Sequence, residues 1–416
     1  MSVPVISATP RTASVDPRRR PDVARLPKSS WLRAAAAERR MRHTIGRLPL
    51  RIRLAGTARP VGRGGPLMEV RDPHSFFRRT CANGLVGFKD SYTAGEWDTT
   101  DLVGVLTVLA EHADALVPEA LERTRGARRA GESDRHTPKA ARADAAHELL
   151  SLFLDETLTY SCALFRGFPA EHQLLSAAQH RKIDRLLDLA HVGPSTQLLE
   201  MGSGRGELAV RAAGRGARVL TVTHSAEQQA LAARRVRAAG VGDRVTVLLR
   251  DYRRVLGRYD AIVGVETVEA VGAGFWPEYL MMLDRLLAPG GRAALQAVTM
   301  PQERTPASRA AGNWAQKYIC PAGPLPSAQA LEEFTGRFTG LSVTARDAFG
   351  AHYAETLRLW RERFTARAAE ADALGFDETF RRLWHFCLAH AEAGFRSGLL
   401  DVQQLQLTKP AEGVAG

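Results

Sequence analysis

Cysteine is sparse in this 416-residue chain, which has only Cys81, Cys162, Cys320 and Cys387. They are scattered with no paired spacing, which argues against a zinc site or a disulfide framework and leaves reduced thiols and no expected metal centre. No run of about 18 uncharged apolar residues occurs, so no membrane-crossing helix is expected. The N-terminal stretch has neither the apolar core nor the small-residue cleavage site of a secretory signal, which points to a cytoplasmic protein. Acidic residues are the minority charge: 45 Asp and Glu face 57 Lys and Arg, a net charge of +12. Such a balance suits an anionic partner, either nucleic acid or an acidic membrane face. Much of the excess lies in Arg18, Arg19, Arg20, Arg25, Lys28, Arg33, Arg39, Arg40, Arg42, Arg47, Arg51 and Arg53, opposed only by Asp16, Asp22 and Glu38.

Apolar residues make up 45% of the chain, ample for a packed interior, and the length calls for two units or one large unit with added helices. Residues 1–28, rich in Pro, Ser, Thr and Arg, read as a disordered basic tail, and 29–118 as a small accessory domain. That domain has a candidate strand at Leu48 to Ala55 and an amphipathic helix at Asp101 to Leu116. Residues 119–146 are charged and almost free of large apolar side chains, which marks a linker. A second domain, 147–410, follows. Between Gln197 and Met300 apolar strands at 197–201, 218–223, 245–249, 261–265 and 293–298 alternate with helical stretches. The helix over 226–239 closes at Gly240 and the one over 279–287 at Pro289-Gly290-Gly291. The pattern predicts an α/β, doubly wound, Rossmann-like sheet. Helical stretches at 354–373 and 377–394 and strands at 342–348 and 402–408 follow, the strands suited to an antiparallel sheet edge.

The first of these strands runs into Glu200-Met201-Gly202-Ser203-Gly204-Arg205-Gly206, followed at once by a helix over 207–214. Glycines in a strand-to-helix turn let backbone approach a ligand and aim helix N-terminal amides at it. A dinucleotide site would place an acidic residue about 20 positions on. The second strand ends instead in Thr221-Val222-Thr223-His224, which argues against a nicotinamide cofactor. Asp251-Tyr252 follows the third strand, where an aromatic ring suits an adenine. Val265-Glu266-Thr267-Val268-Glu269 follows the fourth, where open α/β sheets carry their chemistry.

Several stretches together resemble the cyclopropane-fatty-acyl-phospholipid synthase and mycolic acid methyltransferase family, in particular its actinobacterial branch that methylates unsaturated fatty acyl chains at mid-chain. They are GLVGF at 84–88 with Ser91-Tyr92 and Gly95-Glu96-Trp97, FLDETLTYSCALF at 153–165, EMGSGRGEL at 200–208 and VTHSAEQQ at 222–229. VETVEAVG at 265–272, QKYICPAGPLPS at 316–327, HYAETLRLWRERF at 352–364 and EAGFRSGLLDV at 392–402 complete the set. The resemblance implies a methyltransferase dependent on S-adenosylmethionine (SAM), acting on the double bond of unsaturated phospholipid acyl chains through a carbocation and yielding a methylene, methyl-branched or cyclopropane chain. It further implies SAM contacts at Tyr160, Ser161, Glu200, Gly202, Gly204, Gly206, Thr223, Gln228 and Tyr252, with Thr223 and Gln228 replacing the ribose carboxylate.

In the cyclopropane-forming members a bicarbonate ion acts as base. The matching positions here are the Cys162 backbone, Glu269, Gln296 in place of a histidine, the Val298 backbone and Tyr353. The resemblance directs the basic charge to an anionic membrane surface rather than to nucleic acid, as a peripheral protein at the inner face, and leaves room for a homodimer. Two departures stand out: Ala145-Ala146-His147 runs straight into Glu148-Leu149-Leu150, where the family carries a longer segment, and Arg205 stands where an aromatic is common. A C-methyltransferase of a natural-product intermediate, or a homologue that binds SAM and lipid with impaired turnover, stays open as an alternative.

Overall fold

The computed structural model describes residues 46–112, 147–302 and 325–411, with scattered positions between 15 and 43. Residues 119–146, most of the basic tail, and 316–324 of the QKYICPAGPLPS stretch with Cys320 lie outside the described residues. Two compact units emerge, one from Met1–Ala127 with Thr365–Ala393, the other from Arg128–Phe364 with Gly394–Gly416.

In the first unit, β1 (Arg51–Leu54), β2 (Val61–Gly62), β3 (Leu67–Val70) and β4 (Trp97–Asp98) form a small sheet in the order β2-β1-β3-β4. Alternation along β1 sends Ile52 and Leu54 into the core and Arg51 and Arg53 to solvent, the period of a half-buried strand. Among the helices that accompany it are α1 (Pro73–Asn83), α2 (Leu85–Thr93) and α3 (Leu102–Glu111). Asp72 caps α1 by accepting from the Ser75 amide at 3.1 Å, and Asp101 caps α3 by accepting from Gly104 at 2.8 Å. The helix expected from Asp101 therefore forms, and its last four expected residues lie outside the described region.

The second unit holds α4 (Leu175–Leu189) and then the alternation β5 (Gln197–Met201), α5 (Glu207–Gly214), β6 (Arg218–Thr223), α6 (Ala226–Ala238), β7 (Val245–Leu249) and β8 (Tyr259–Val265). After these come α7 (Val268–Val271), α8 (Trp276–Leu286), β9 (Leu287–Thr299), α9 (Ala328–Phe338), β10 (Ser342–Ala348) and α10 (Gly350–Ala366). In chain order α11 (Ala368–Ala373) and α12 (Glu378–Arg396) are next, then β11 (Asp401–Thr408). The seven strands run in the order β10-β11-β9-β8-β5-β6-β7. β11 is antiparallel to both its neighbours and the other pairs are parallel, the doubly wound arrangement with the antiparallel edge expected from the late strands. Ala261, Ile262 and Val263 of β8 are wholly buried, as a central parallel strand covered on both faces requires.

Three expectations are corrected. Pro289-Gly290-Gly291 does not stop a helix: α8 ends at Leu286 and the tripeptide lies inside β9, beside a register shift between Tyr259 and Ala261. Gly290 at φ +76° supplies the left-handed residue this irregularity needs. The helix over 354–373 is broken at Arg367 into α10 and α11. Finally, residues 365–393 belong to the first unit rather than to the methyltransferase domain. Phe386 of α12 packs on Tyr92 with ring centroids 5.4 Å apart, in an aromatic cluster with Phe88 and Trp97.

Candidate active site

β5 brings the buried Glu200 to the carboxyl edge of the sheet, where the chain turns through Gly202, Gly204 and Gly206 at φ +87°, +48° and +92° into α5. Against this turn lies a cavity of about 460 Å³. Six of the nine residues expected to hold SAM line it: Tyr160, Ser161, Glu200, Gly202, Gly204 and Gln228. The other three do not. Gly206 closes the turn from behind, where a Cβ would stand 3.0 Å from Ala232 Cα of α6. Thr223 acts one step back, donating to Gln228 Oε1 at 2.9 Å and so orienting that side chain. Tyr252 packs toward the core, its ring 5.9 Å from that of Tyr279.

The cavity also exposes residues that motif reading passed over. Glu227 lines it, a carboxylate at the start of α6 rather than at the end of β6. Arg205 and Leu150 line it too, so the loop and the shortened segment after His147 both contribute wall. Lys182 on α4 is wholly buried there and donates to Ser161 Oγ at 2.6 Å, and burial pulls its ammonium down to about 8. Burial likewise pushes the Glu200 carboxyl up to about 8, and its Oε2 has no hydrogen-bond partner.

Beside the cavity, at the end of β8, a second constellation forms. Val265 lines the cavity, and the next residue, Glu266, holds a left-handed backbone at φ +53° that aims its carboxylate at donors from three separate segments. Oε1 accepts from the Cys162 amide and from Gln296 Nε2 of β9, both at 2.9 Å, and Oε2 accepts from the Tyr353 hydroxyl of α10 at 2.8 Å. The Gln296 carbonyl in turn accepts from Gln404 Nε2 of β11 at 3.1 Å, which fixes its amide group toward Glu266. Burial raises the Glu266 carboxyl above the ordinary range, opposed by these donors and by the charge of Lys182. Burial also raises Tyr353 and the Cys162 thiol well above their usual values, so the phenol stays a donor and the thiol stays inert.

Cys162, Gln296 and Tyr353 are therefore brought together as expected, but around Glu266 and not around Glu269. Glu269, on the first turn after β8, accepts from the Val298 amide at 3.1 Å, and its other oxygen is buried without a partner. Burial and the neighbouring Glu266 lift it to about 8. Glu266 was visible in the sequence only as the first glutamate of V-E-T-V-E; its strand-end position was the available signal. Aromatic rings link the two regions: Tyr160 stacks on Trp360 at 5.0 Å, and Tyr353 stacks on Phe395 at 4.6 Å and meets Trp360 edge-on at 6.3 Å.

The family model for mycolic acid cyclopropane synthetase matches residues 133–405. Across 97% of its length and 98% of the relative's, the chain is 47% identical to a tuberculostearic acid methyltransferase of Mycobacterium tuberculosis. It is 30% identical to the cyclopropane-fatty-acyl-phospholipid synthase of Escherichia coli over 83% of this chain and 88% of that enzyme. Among solved structures, a cyclopropane synthase from Mycobacterium tuberculosis superposes with a TM-score of 0.59 at 27% identity, covering 66% of this chain and 100% of that one. A mycolic acid cyclopropane synthase complexed with SAH and CTAB gives 0.59 at 29% identity, again over 66% and 100%.

Proposed function

Because the chain belongs to the mycolic acid cyclopropane synthetase family and is a SAM-dependent methyltransferase, we propose that it methylates the double bond of an unsaturated fatty acyl chain carried by a phospholipid. The observation that carries this reading is the near full-length similarity to the tuberculostearic acid methyltransferase. The geometry supports it. The cavity at the glycine turn fits SAM: Gly204 is open to a close approach, Gln228 offers an amide, and the orphaned Glu200 Oε2 suits a cationic amino group. When bound, SAM supplies an electrophilic methyl group on a sulfonium.

The residues around Glu266 suit the other half of the reaction. An alkene is a weak nucleophile, so the first task of the chain is to align it and exclude water. Addition of the methyl leaves a cation on the acyl chain, which the faces of Tyr353, Trp360 and Phe395 and the carboxylate of Glu266 stabilise. Proton loss from that cation gives a methylene branch or a cyclopropane ring, according to which hydrogen is within reach.

The residues present do not fit the bicarbonate ion that the resemblance implies. The Cys162 amide, Gln296 and Tyr353 already donate to Glu266, and the Val298 amide donates to Glu269, so the donor set is engaged by the chain's own carboxylates. No step is therefore assigned to that ion. No helix among the described residues is long and apolar enough to cross a membrane. A phospholipid substrate would be met at an anionic inner membrane face, toward which the exposed Arg47, Arg59 and Arg63 of the first unit are suited. Lipid analysis of a host producing the protein and fed methyl-labelled methionine tests the reading. Label in mid-chain branched or cyclopropane acyl groups of phospholipid is expected, and label absent from phospholipid would refute it.

A further inference from the structure

Three hydrogen-bond donors converge on Glu266 from the segment before α4, from β9 and from α10, and each of them only donates in that contact. This is a built anion site, and what fills it is a side chain of the protein itself. Gln404 holds the Gln296 carbonyl, so the amide face turned toward Glu266 is the donating one and the site demands an acceptor. A left-handed backbone at a glutamate is strained, and strain of this kind persists where the surroundings over-determine it. Gln296 has no titrating group, the Cys162 contact is a backbone amide, and Tyr353 is held as a phenol. Of the groups gathered here, only the Glu266 carboxylate can accept a proton.

We propose that Glu266 is the general base of the reaction, occupying in the chain itself the place that a bicarbonate ion takes in the cyclopropane-forming members, so that turnover is independent of bicarbonate. This rests on the acyl methyltransfer reading above. In the step, the C–H bond beside the cationic carbon breaks and its proton passes to a carboxylate oxygen of Glu266. The C–H electron pair stays with carbon and closes a double bond or a three-membered ring, and the carboxyl returns its proton to solvent before the next turnover. Burial, which raises the proton affinity of this carboxylate, suits it to the role.

Two variants and an ion test it. Glu266→Gln keeps the shape and removes the base. Glu266→Gly relieves the left-handed backbone and leaves the donors facing an empty space of carboxylate size. Turnover of the parent protein on an unsaturated phospholipid should be the same in carbon-dioxide-stripped buffer as in buffer with added bicarbonate. Turnover of Glu266→Gln should fall roughly a hundredfold to ten-thousandfold, the range of general-base contributions, with SAM affinity retained. Glu266→Gly should be equally slow and should regain rate with formate or bicarbonate. Independently of activity, carbon-13 NMR of labelled bicarbonate should show binding to Glu266→Gly and none to the parent. A parent that binds bicarbonate or slows without it, or a Glu266→Gln variant with unchanged rate, would overturn the proposal. If the parent methylates no unsaturated lipid, the acyl reading fails, and the NMR comparison still decides which group fills the anion site.

Discussion

Two glutamates three residues apart, the half-buried Glu266 and the buried Glu269, carry different electrostatic loads. Glu266 accepts three hydrogen bonds and has the Lys182 charge nearby, whereas Glu269 accepts one and feels the charge of Glu266. Burial and the neighbouring Glu266 both favour the protonated form of Glu269, so Glu269→Gln is close to an exchange of one neutral group for another and should lower turnover less than tenfold. Tyr353→Phe removes a donor to the working carboxylate and should cost about tenfold to a hundredfold, the scale of a hydrogen bond to a charged group at about 1.5–3 kcal/mol. Single-turnover methylation with SAM affinity measured separately checks both; equal losses for the two variants would contradict this division of roles. Sequence reading named Cys162, Gln296 and Tyr353 together with Glu269. It passed over Glu266, because the contacts of that residue depend on a positive φ that no hydrophobic pattern records. Tyr252 likewise matched a motif, yet it is half-buried against a hydrophobic cluster and does not line the cavity.

The glycine turn shows how one element serves ligand and fold with different residues. Gly204 lines the cavity, and a Cβ there would meet no protein atom within 4 Å. Gly206 sits where α5 packs on α6, and a Cβ there would press on Ala232. Gly204→Val should therefore weaken SAM binding by blocking the ligand's approach, and a β-branched residue at φ +48° should also cost about 1–3 kcal/mol of stability. Gly206→Ala carries the same kind of backbone strain at φ +92° and adds the pressure on Ala232, so it should destabilise the fold without blocking the ligand. Calorimetric titration with SAM and thermal unfolding of both variants separate the two effects, and a Gly204→Val protein that binds SAM like the parent would move the ligand away from this turn. The bounds of β5, β6 and β7 were legible to the residue because each is a short apolar run bounded by polar or glycine positions. The start of β9 was not. Pro-Gly-Gly is a common helix stop, and only pairing with β8 turns it into the irregular beginning of a strand.

At the scale of the molecule, composition separated a basic N-terminal unit from an α/β unit but left residues 365–393 with the latter, since the apolar faces of these helices match either core. Aromatic packing within the first unit decided it. That unit presents the exposed Arg47, Arg59 and Arg63, and if they meet anionic lipid each contributes about 1 kcal/mol. Reversing all three to glutamate should weaken sedimentation with anionic vesicles at least a hundredfold, leave neutral vesicles unaffected, and leave SAM affinity intact. Rising salt should weaken the parent's binding in the same direction, since the screening length is about 10 Å at 0.1 M.

The buried carboxyls also set how stability depends on pH. Glu96, Glu200 and Glu269 rise from 4.5 to about 7, 8 and 8 on folding, so the folded chain holds protons that the unfolded chain gives up. Their contribution is fully present below about 4.5 and is lost as pH climbs through 7 to 8. His390 works the other way: burial lowers it from 6.5 to about 3, which adds stability as pH rises to 6.5 and nothing beyond. Lys182, lowered from 10.5 to about 8, adds stability only above pH 8. The opposing trends cancel in part up to pH 6.5 and leave the carboxyls alone between 6.5 and 8. Thermal unfolding should therefore show Tm falling across that interval, and a Glu200→Gln, Glu269→Gln double variant should flatten the fall. A Tm that rose from pH 6.5 to 8 would mean that these carboxyls are ionised in the folded protein. Glu269 would then be a second anion beside Glu266, and Glu269→Gln would lose its status as a near-neutral change.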